Sequence, residues 1–280
     1  MRQLLKLLLL MPVYALLSTC NNGQEEVMIE SKVFTDSIYS ESLSEYRKHN
    51  IYLPKGFKQG ANYPIVFSTD GNSEITDKKE VLDSLIDKKV IRPVIFVAAH
   101  ANTEVADSTT MKMPDGGKVY IKYRNIEYTD MSGMLKDSSL ISRFQDHMSY
   151  FKDELIPQIE HTLNQDIEKE DRYFYGVSNG AGFGLSLLNT FPDVIGTYIC
   201  LSTFGGKIQE YNWEKSVAYP RIYLRFGSEE SSFLVKDADF LKAKYEELNL
   251  FAEIQEFAGG HDNQFWEDEF VEILSRILKR

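Results

Sequence analysis

A serine flanked by glycines lies between a short apolar run and an amphipathic segment, and this arrangement constrains the fold most strongly. The residues Gly176 to Gly180 fit the pattern G-x-S-x-G, with Ser178 at the centre. Tyr173 to Tyr175 favour a strand, and the segment that follows the pattern has a helical apolar face that ends at Phe191-Pro192. A turn sharp enough to join such a strand to such a helix has room only for small flanking residues. The sequence therefore predicts a strand–turn–helix unit that presents Ser178 as a candidate nucleophile.

Strand-like and helical patterns alternate along the rest of the chain. Apolar strand-like runs cover 51–53, 63–68, 94–99, 173–175, 197–201, 221–226 and 253–257, and helical patterns cover about 78–88, 143–164, 181–190, 235–248 and 265–279. This alternation is typical of an α/β fold, in which helices cover both faces of a mostly parallel sheet and sites gather where the strands end. Residues 101–142 interrupt the alternation, and we expect an elaborated loop or small cap beside the site.

The composition of the 280-residue chain narrows the possible classes of protein. With 43% hydrophobic residues, the chain suits one large domain, which we place at 45–280. The formal net charge is −11 and no basic block occurs, so nucleic acid is not an expected partner. The two cysteines and five histidines show no metal-ligand spacing. We therefore predict neither a metal nor an organic cofactor.

The first twenty residues have the pattern of an export signal. Positive charge at Arg2 and Lys6 precedes a largely apolar run from Leu7 to Leu17 that is short for a membrane span. The run ends in Leu17 to Cys20, which resembles the lipobox of bacterial lipoproteins, where the cysteine is lipidated. Residues 1–20 are thus predicted to be a signal peptide and 21–44 a tether and N-terminal extension, with the protein anchored by lipid at Cys20 on the outer membrane or cell surface. An ordinary secretory peptide, with a periplasmic or secreted product, is the alternative.

A serine nucleophile needs a base, and the base needs an acid that orients it. Among the five histidines, His261 alone follows two glycines after a strand-like run and precedes the last helical pattern. We predict that His261 is the base. The turn after strand-like residues 221–226 offers two candidate acids, Glu229 and Glu230. Asp262 is better explained as the cap of the last helix.

Two backbone N–H groups are candidates for an oxyanion hole. One belongs to Asn179, directly after the nucleophile, and the other to Gly71 or Asn72, in the loop after strand-like residues 63–68.

Taken together, these motifs resemble the putative-esterase family of α/β-hydrolases, which includes esterase D, enterochelin esterases, feruloyl and acetyl-xylan esterases, and mycolyltransferases. The resemblance covers about residues 45–278. It is carried by Arg47 to Pro54, Tyr63 to Gly71, Arg124 to Tyr128, Glu154 to Pro157, Gly176 to Ala181, and Gly259 to Asp262 with Trp266 beyond.

This resemblance implies an α/β-hydrolase fold and roles for further residues. The family commonly has G-x-x-D at the acid turn, and Gly227 to Glu230 places Glu230 at that position, which favours it over Glu229. Arg124 is expected to pair with Glu127 and brace a loop, or alternatively to contact substrate. Trp266 is a candidate for lining a substrate pocket.

The predicted function is that of an exported serine carboxylic-ester hydrolase that acts through an acyl-enzyme, on acyl or feruloyl esters of glycans. Three alternatives stay open: a ferric-siderophore trilactone esterase, an acyltransferase that uses the same triad, and a non-catalytic surface binding lipoprotein.

Overall fold

An eight-stranded sheet forms the centre of the structure, a computed structural model that describes residues 28–112, 118–135 and 137–280. The strands are β1 (Lys32–Ser40), β2 (Glu45–Leu53), β3 (Ile65–Ser68), β4 (Ile95–Ala99), β5 (Val105–Lys112), β6 (Lys118–Lys122), β7 (Arg172–Val177), β8 (Thr197–Leu201), β9 (Arg221–Gly227) and β10 (Ala252–Phe257). The central sheet has the order β1-β2-β4-β3-β7-β8-β9-β10, and β5 and β6 pair separately. Strands β1, β2 and β4 pair antiparallel, and all pairs from β4 to β10 are parallel. The predicted mostly parallel sheet is confirmed.

Helices cover both faces of this sheet. They are α1 (Gly71–Asp87), α2 (Tyr123–Tyr128), α3 (Arg143–Ser149), α4 (Ile156–Thr162), α5 (Asn179–Thr190), α6 (Ser232–Glu247) and α7 (Asn263–Ile277), with a π-helical turn at Tyr150–Leu155 between α3 and α4. Side chains of a strand alternate between the two faces of a sheet. On β7, Phe174 packs with Phe183 of α5 on one face, and Tyr175 packs with Phe270 of α7 on the other. A buried core therefore lies on each side of the sheet.

Two regions differ from the sequence predictions. Strand β1 lies in the N-terminal extension, where no strand was predicted. The single helical pattern at 143–164 is divided into α3, the π-helical turn and α4. The segment 101–142, for which we expected an elaborated loop or small cap, holds the β5–β6 hairpin and α2.

The predicted signal peptide, its Cys20 and the start of the tether lie outside the described residues. Within the described ranges, no helix combines the length and apolar character needed to cross a membrane.

Candidate active site

Ser178 occupies a strained turn between β7 and α5. Its backbone angles are φ 54° and ψ −124°, in a region that a residue other than glycine rarely adopts. A Cβ at Gly176 would lie 2.7 Å from the carbonyl of Gly180, and one at Gly180 would lie 2.2 Å from Oγ1 of Thr69. A side chain therefore does not fit at either glycine of the pattern, as the sequence predicted for a sharp turn.

His261 lies in the loop after β10 and reaches Ser178 across the ends of the parallel strands. Its Nε2 is 2.9 Å from Oγ of Ser178, and its Nδ1 is 2.7 Å from Oε1 of Glu230. The imidazole therefore links the serine hydroxyl to one carboxylate, which is the arrangement that a serine nucleophile needs.

The carboxylate of Glu230 is held on both oxygens. Its side chain is 1% exposed, and Oε2 accepts the backbone N–H of Gly227 at 2.9 Å while Oε1 faces the imidazole. Glu229 is exposed, and its backbone N–H donates to the carbonyl of Gly259. Of the two acids that the sequence offered, the structure brings Glu230 to His261.

Three other histidines are buried or half-buried away from this arrangement. Burial lowers the pKa of His49 to about 4 and the pKa of His147 well below its ordinary value. Burial and the charge of Lys48 also lower the pKa of His100. Because each pKa is lowered, these imidazoles are neutral near pH 7.

The candidate oxyanion donors begin two helices. Asn179 is the first residue of α5 and Gly71 the first residue of α1, and N–H groups in a first helical turn have no intrahelical acceptor. A Cβ at Gly71 would lie 2.1 Å from the carbonyl oxygen of Ala98, so this position admits only glycine. The N–H of the preceding Asp70 donates to the Tyr128 hydroxyl at 3.3 Å. Gly71 or Asn72 is thus left as the donor from this loop.

Arg124 connects these two helix starts. Its Nε and Nη2 donate to the Asp70 carboxylate at 2.6 Å and 2.9 Å, and its Nη1 donates to Oδ1 of Asn179 at 3.2 Å. The guanidinium also lies over the ring of Tyr128, 5.1 Å from its centroid. Asp70 was not assigned a role from the sequence, although its position two residues after the buried strand β3 was a usable signal.

The predicted ion pair between Arg124 and Glu127 is wrong. Glu127 is fully buried, and its carboxylate accepts from Arg47 at 2.8 Å and from Arg143 at 2.7 Å. The Glu127 carboxylate is therefore paired with two arginines from other elements. Arg124 instead contacts Asp70 and Asn179 at the candidate site.

Trp266 lies against the imidazole rather than on an open wall. It is 8% exposed, its Nε1 donates to Oγ of Ser202 at 2.7 Å, and its ring meets that of His261 edge-on with centroids 4.7 Å apart. This placement favours support of His261 over contact with substrate. As the sequence predicted, Asp262 caps α7, because its side chain accepts the N–H of Gln264.

No group of three or more histidine, cysteine, aspartate or glutamate side chains in the described ranges could hold a metal ion.

Comparison with known proteins identifies the family. The model of a family described as "Putative esterase" matches residues 40–277. The chain belongs to this family. It is accordingly a carboxylic ester hydrolase, and the esterases among similar solved structures agree with this assignment. Among curated proteins, none matches the sequence.

Solved structures of esterases share the fold. A ferulic acid esterase is 17% identical with a TM-score of 0.66, and the match covers 89% of this chain and 98% of that one. A CE1 ferulic acid esterase from Anaeromyces mucronatus, solved with ferulic acid, is 15% identical with a TM-score of 0.64 over 90% and 92% of the two chains. The enterochelin esterase from Shigella flexneri is 16% identical with a TM-score of 0.65, over 90% of this chain and 59% of that one. At these identities, the likeness shows the α/β-hydrolase fold.

Proposed function

We propose that this esterase works through an acyl-enzyme formed on Ser178. The observation that carries the proposal is the continuous hydrogen-bonded chain from Oγ of Ser178 through His261 to Glu230, at 2.9 Å and 2.7 Å. A serine hydroxyl becomes a nucleophile when an adjacent base takes its proton, and a carboxylate on the far nitrogen stabilises the resulting imidazolium.

The first half-reaction transfers the acyl group to the enzyme. His261 takes the proton of Ser178 as Oγ bonds to the ester carbonyl carbon, and the carbonyl oxygen becomes an oxyanion. The backbone N–H groups of Asn179 and Gly71 stabilise this charge as it develops. The tetrahedral intermediate then collapses, and His261 gives its proton to the departing alcohol oxygen.

The second half-reaction releases the acid. His261 takes a proton from water as the water oxygen bonds to the acyl carbon, and the same N–H groups stabilise the second oxyanion. The bond between the carbon and Oγ breaks, and the proton returns to Ser178. Glu230 orients the imidazole and stabilises its positive charge throughout.

We further propose that the substrates are acyl or feruloyl esters of glycans. The predicted export of the chain and its fold likeness to two ferulic acid esterases support this substrate class. A ferric-siderophore trilactone calls for cationic groups near the site. The guanidinium of Arg124 lies at the candidate site but is hydrogen-bonded to Asp70 and Asn179. This engagement favours the glycan ester.

A substrate panel tests the substrate class. Wild-type protein and Ser178→Ala are incubated with acetylated xylan, feruloyl oligosaccharides and enterobactin, and products are measured by mass spectrometry. We expect free acetate or ferulate from the wild type and a loss of at least about a thousandfold in Ser178→Ala. Cleavage of enterobactin alone would replace the glycan proposal, and transfer of acyl groups to sugars in excess of free acid would indicate an acyltransferase.

We also propose that the protein is exported and anchored through lipid on Cys20. The charged start, the apolar run and the Leu17 to Cys20 motif support this localisation. Detergent phase partitioning of membranes from expressing cells tests it. Full-length protein is expected in the detergent phase and Cys20→Ala in the aqueous phase, and equal partitioning of the two would refute the anchor.

A further inference from the structure

Two phenylalanine side chains lie exposed and in contact on the molecule. Phe204 and Phe233 are each 44% exposed, whereas Phe174 and Phe183 of the core are fully buried. The exposed rings meet at an interplanar angle of 73°, with centroids 5.3 Å apart. Apolar side chains that cluster on a surface commonly mark a binding site.

The position of this pair relates it directly to the nucleophile. Phe204 lies in the loop after β8, and its N–H donates to the carbonyl oxygen of Ser178 at 3.1 Å. Phe233 lies in the first turn of α6, which follows the turn that carries Glu230. Both rings therefore come from the strand ends that supply the candidate site.

The loop that carries Phe204 is closely packed against the helix that follows the nucleophile. A Cβ at Gly182 would lie 2.2 Å from the carbonyl oxygen of Phe204, so the two backbones are in direct contact. This packing fixes the backbone of Phe204 relative to Ser178. A ligand that binds the ring pair would thus be held in a defined position relative to the nucleophile.

The exposed side chains of Tyr39, Tyr46 and Phe251 have structural explanations that this pair lacks. Tyr39 and Tyr46 face each other directly as a cross-strand pair of β1 and β2. Phe251 lies beneath the guanidinium of Arg221, 4.4 Å from its ring centroid. The contact between Phe204 and Phe233 instead joins the loop after β8 to the start of α6.

On the basis of the acyl-enzyme function above, we propose that Phe204 and Phe233 form an aromatic subsite that binds a planar aromatic ring of the ester. Two rings inclined at 73° form a corner in which a third ring can stack offset on one face and meet the edge of the other. An acetyl group is too small to cover both rings. The subsite therefore selects aryl esters, such as hydroxycinnamoyl esters, over acetyl esters.

Three esters and three variants test the subsite. Methyl ferulate carries the ring on the acyl side, phenyl acetate carries it on the alcohol side, and ethyl acetate carries none. In Phe233→Ala we expect kcat/KM for either methyl ferulate or phenyl acetate, divided by kcat/KM for ethyl acetate, to fall about tenfold. Phe251→Ala is the matched control, because Phe251 is also 44% exposed, and its ratios should stay at the wild-type value. Phe204→Leu keeps the N–H that binds Ser178 and should lower the same ratio.

The outcomes separate the subsite from the mechanism on which it depends. If the ratio falls only for methyl ferulate, the subsite binds a ring on the acyl side of the ester. If it falls only for phenyl acetate, the subsite binds a ring on the alcohol side. Unchanged ratios in folded Phe233→Ala and Phe204→Leu would overturn the subsite and leave the Ser178 mechanism standing. Failure of the wild type to hydrolyse any of the three esters would refute the proposed function, and the subsite with it.

Discussion

At the scale of single residues, Arg124 has the most consequential contacts outside the serine–histidine–glutamate chain. Its guanidinium holds the carboxylate of Asp70 with two hydrogen bonds and the side chain of Asn179 with a third. Asp70 directly precedes Gly71, and Asn179 itself supplies the other proposed oxyanion donor. We therefore infer that Arg124 positions the proposed oxyanion hole without touching the substrate.

Replacing Arg124 by lysine tests this positioning role. Lysine keeps the charge but cannot form the two-pronged contact with Asp70, so the two helix starts lose their alignment. We expect kcat to fall on the order of tenfold with a smaller change in KM, because oxyanion stabilisation acts on the transition state. Steady-state kinetics on a simple ester measures both constants.

The matched control for this variant is Arg92→Lys. Arg92 pairs with Asp171 at 2.6 Å, before the starts of β4 and β7 and so away from the candidate site. Its replacement should leave kcat unchanged. Wild-type kcat in a stably folded Arg124→Lys would show that the arginine serves stability alone.

The candidate site residues differ in how far the sequence alone could predict them. Ser178, Glu230 and His261 each follow a strand-like run, so their order along the chain was enough to place them at one edge of a parallel sheet. The partner of Arg124 could not be predicted in this way. Asp70 is 54 positions away from Arg124 in the chain. Glu127, the carboxylate that is nearer in sequence, instead accepts hydrogen bonds from Arg47 and Arg143. Which carboxylate an arginine meets depends on tertiary packing rather than on local spacing.

At the scale of elements, buried strands were predictable and exposed ones were not. Strand β4 is fully buried along its length and reads as a continuous apolar run. Strand β1 is an edge strand with mostly exposed or half-buried residues, so neither an apolar run nor a regular alternation indicates it. Its existence depends on pairing with β2.

The long helical pattern at 143–164 was predicted correctly in extent but not in its geometry. Pro157 cannot donate a backbone hydrogen bond, and its ring would collide with the carbonyl of Asp153 in a regular helix. The chain widens there into the π-helical turn, in which the N–H of Ile156 donates to the carbonyl of Phe151. A single apolar periodicity conceals such a change because both forms bury nearly the same face.

At the scale of the whole molecule, the sheet order explains how distant residues meet. Strands β7, β8, β9 and β10 are neighbours and parallel, so the loops after β7, β9 and β10 emerge at the same edge. Ser178 and His261 are 83 positions apart in the chain and 2.9 Å apart between Oγ and Nε2. The fold thus brings Ser178, Glu230 and His261 together from three loops that are distant in sequence.

Reaction with a fluorophosphonate probe, followed by mass spectrometry of the intact protein and its peptides, tests the central claim most directly. Such a probe phosphonylates a serine that an adjacent base activates. We predict one added group in the wild type, located on the peptide that contains Ser178, and none in Ser178→Ala. A folded wild-type protein that stays unlabelled, or a label on any other residue, would contradict the account.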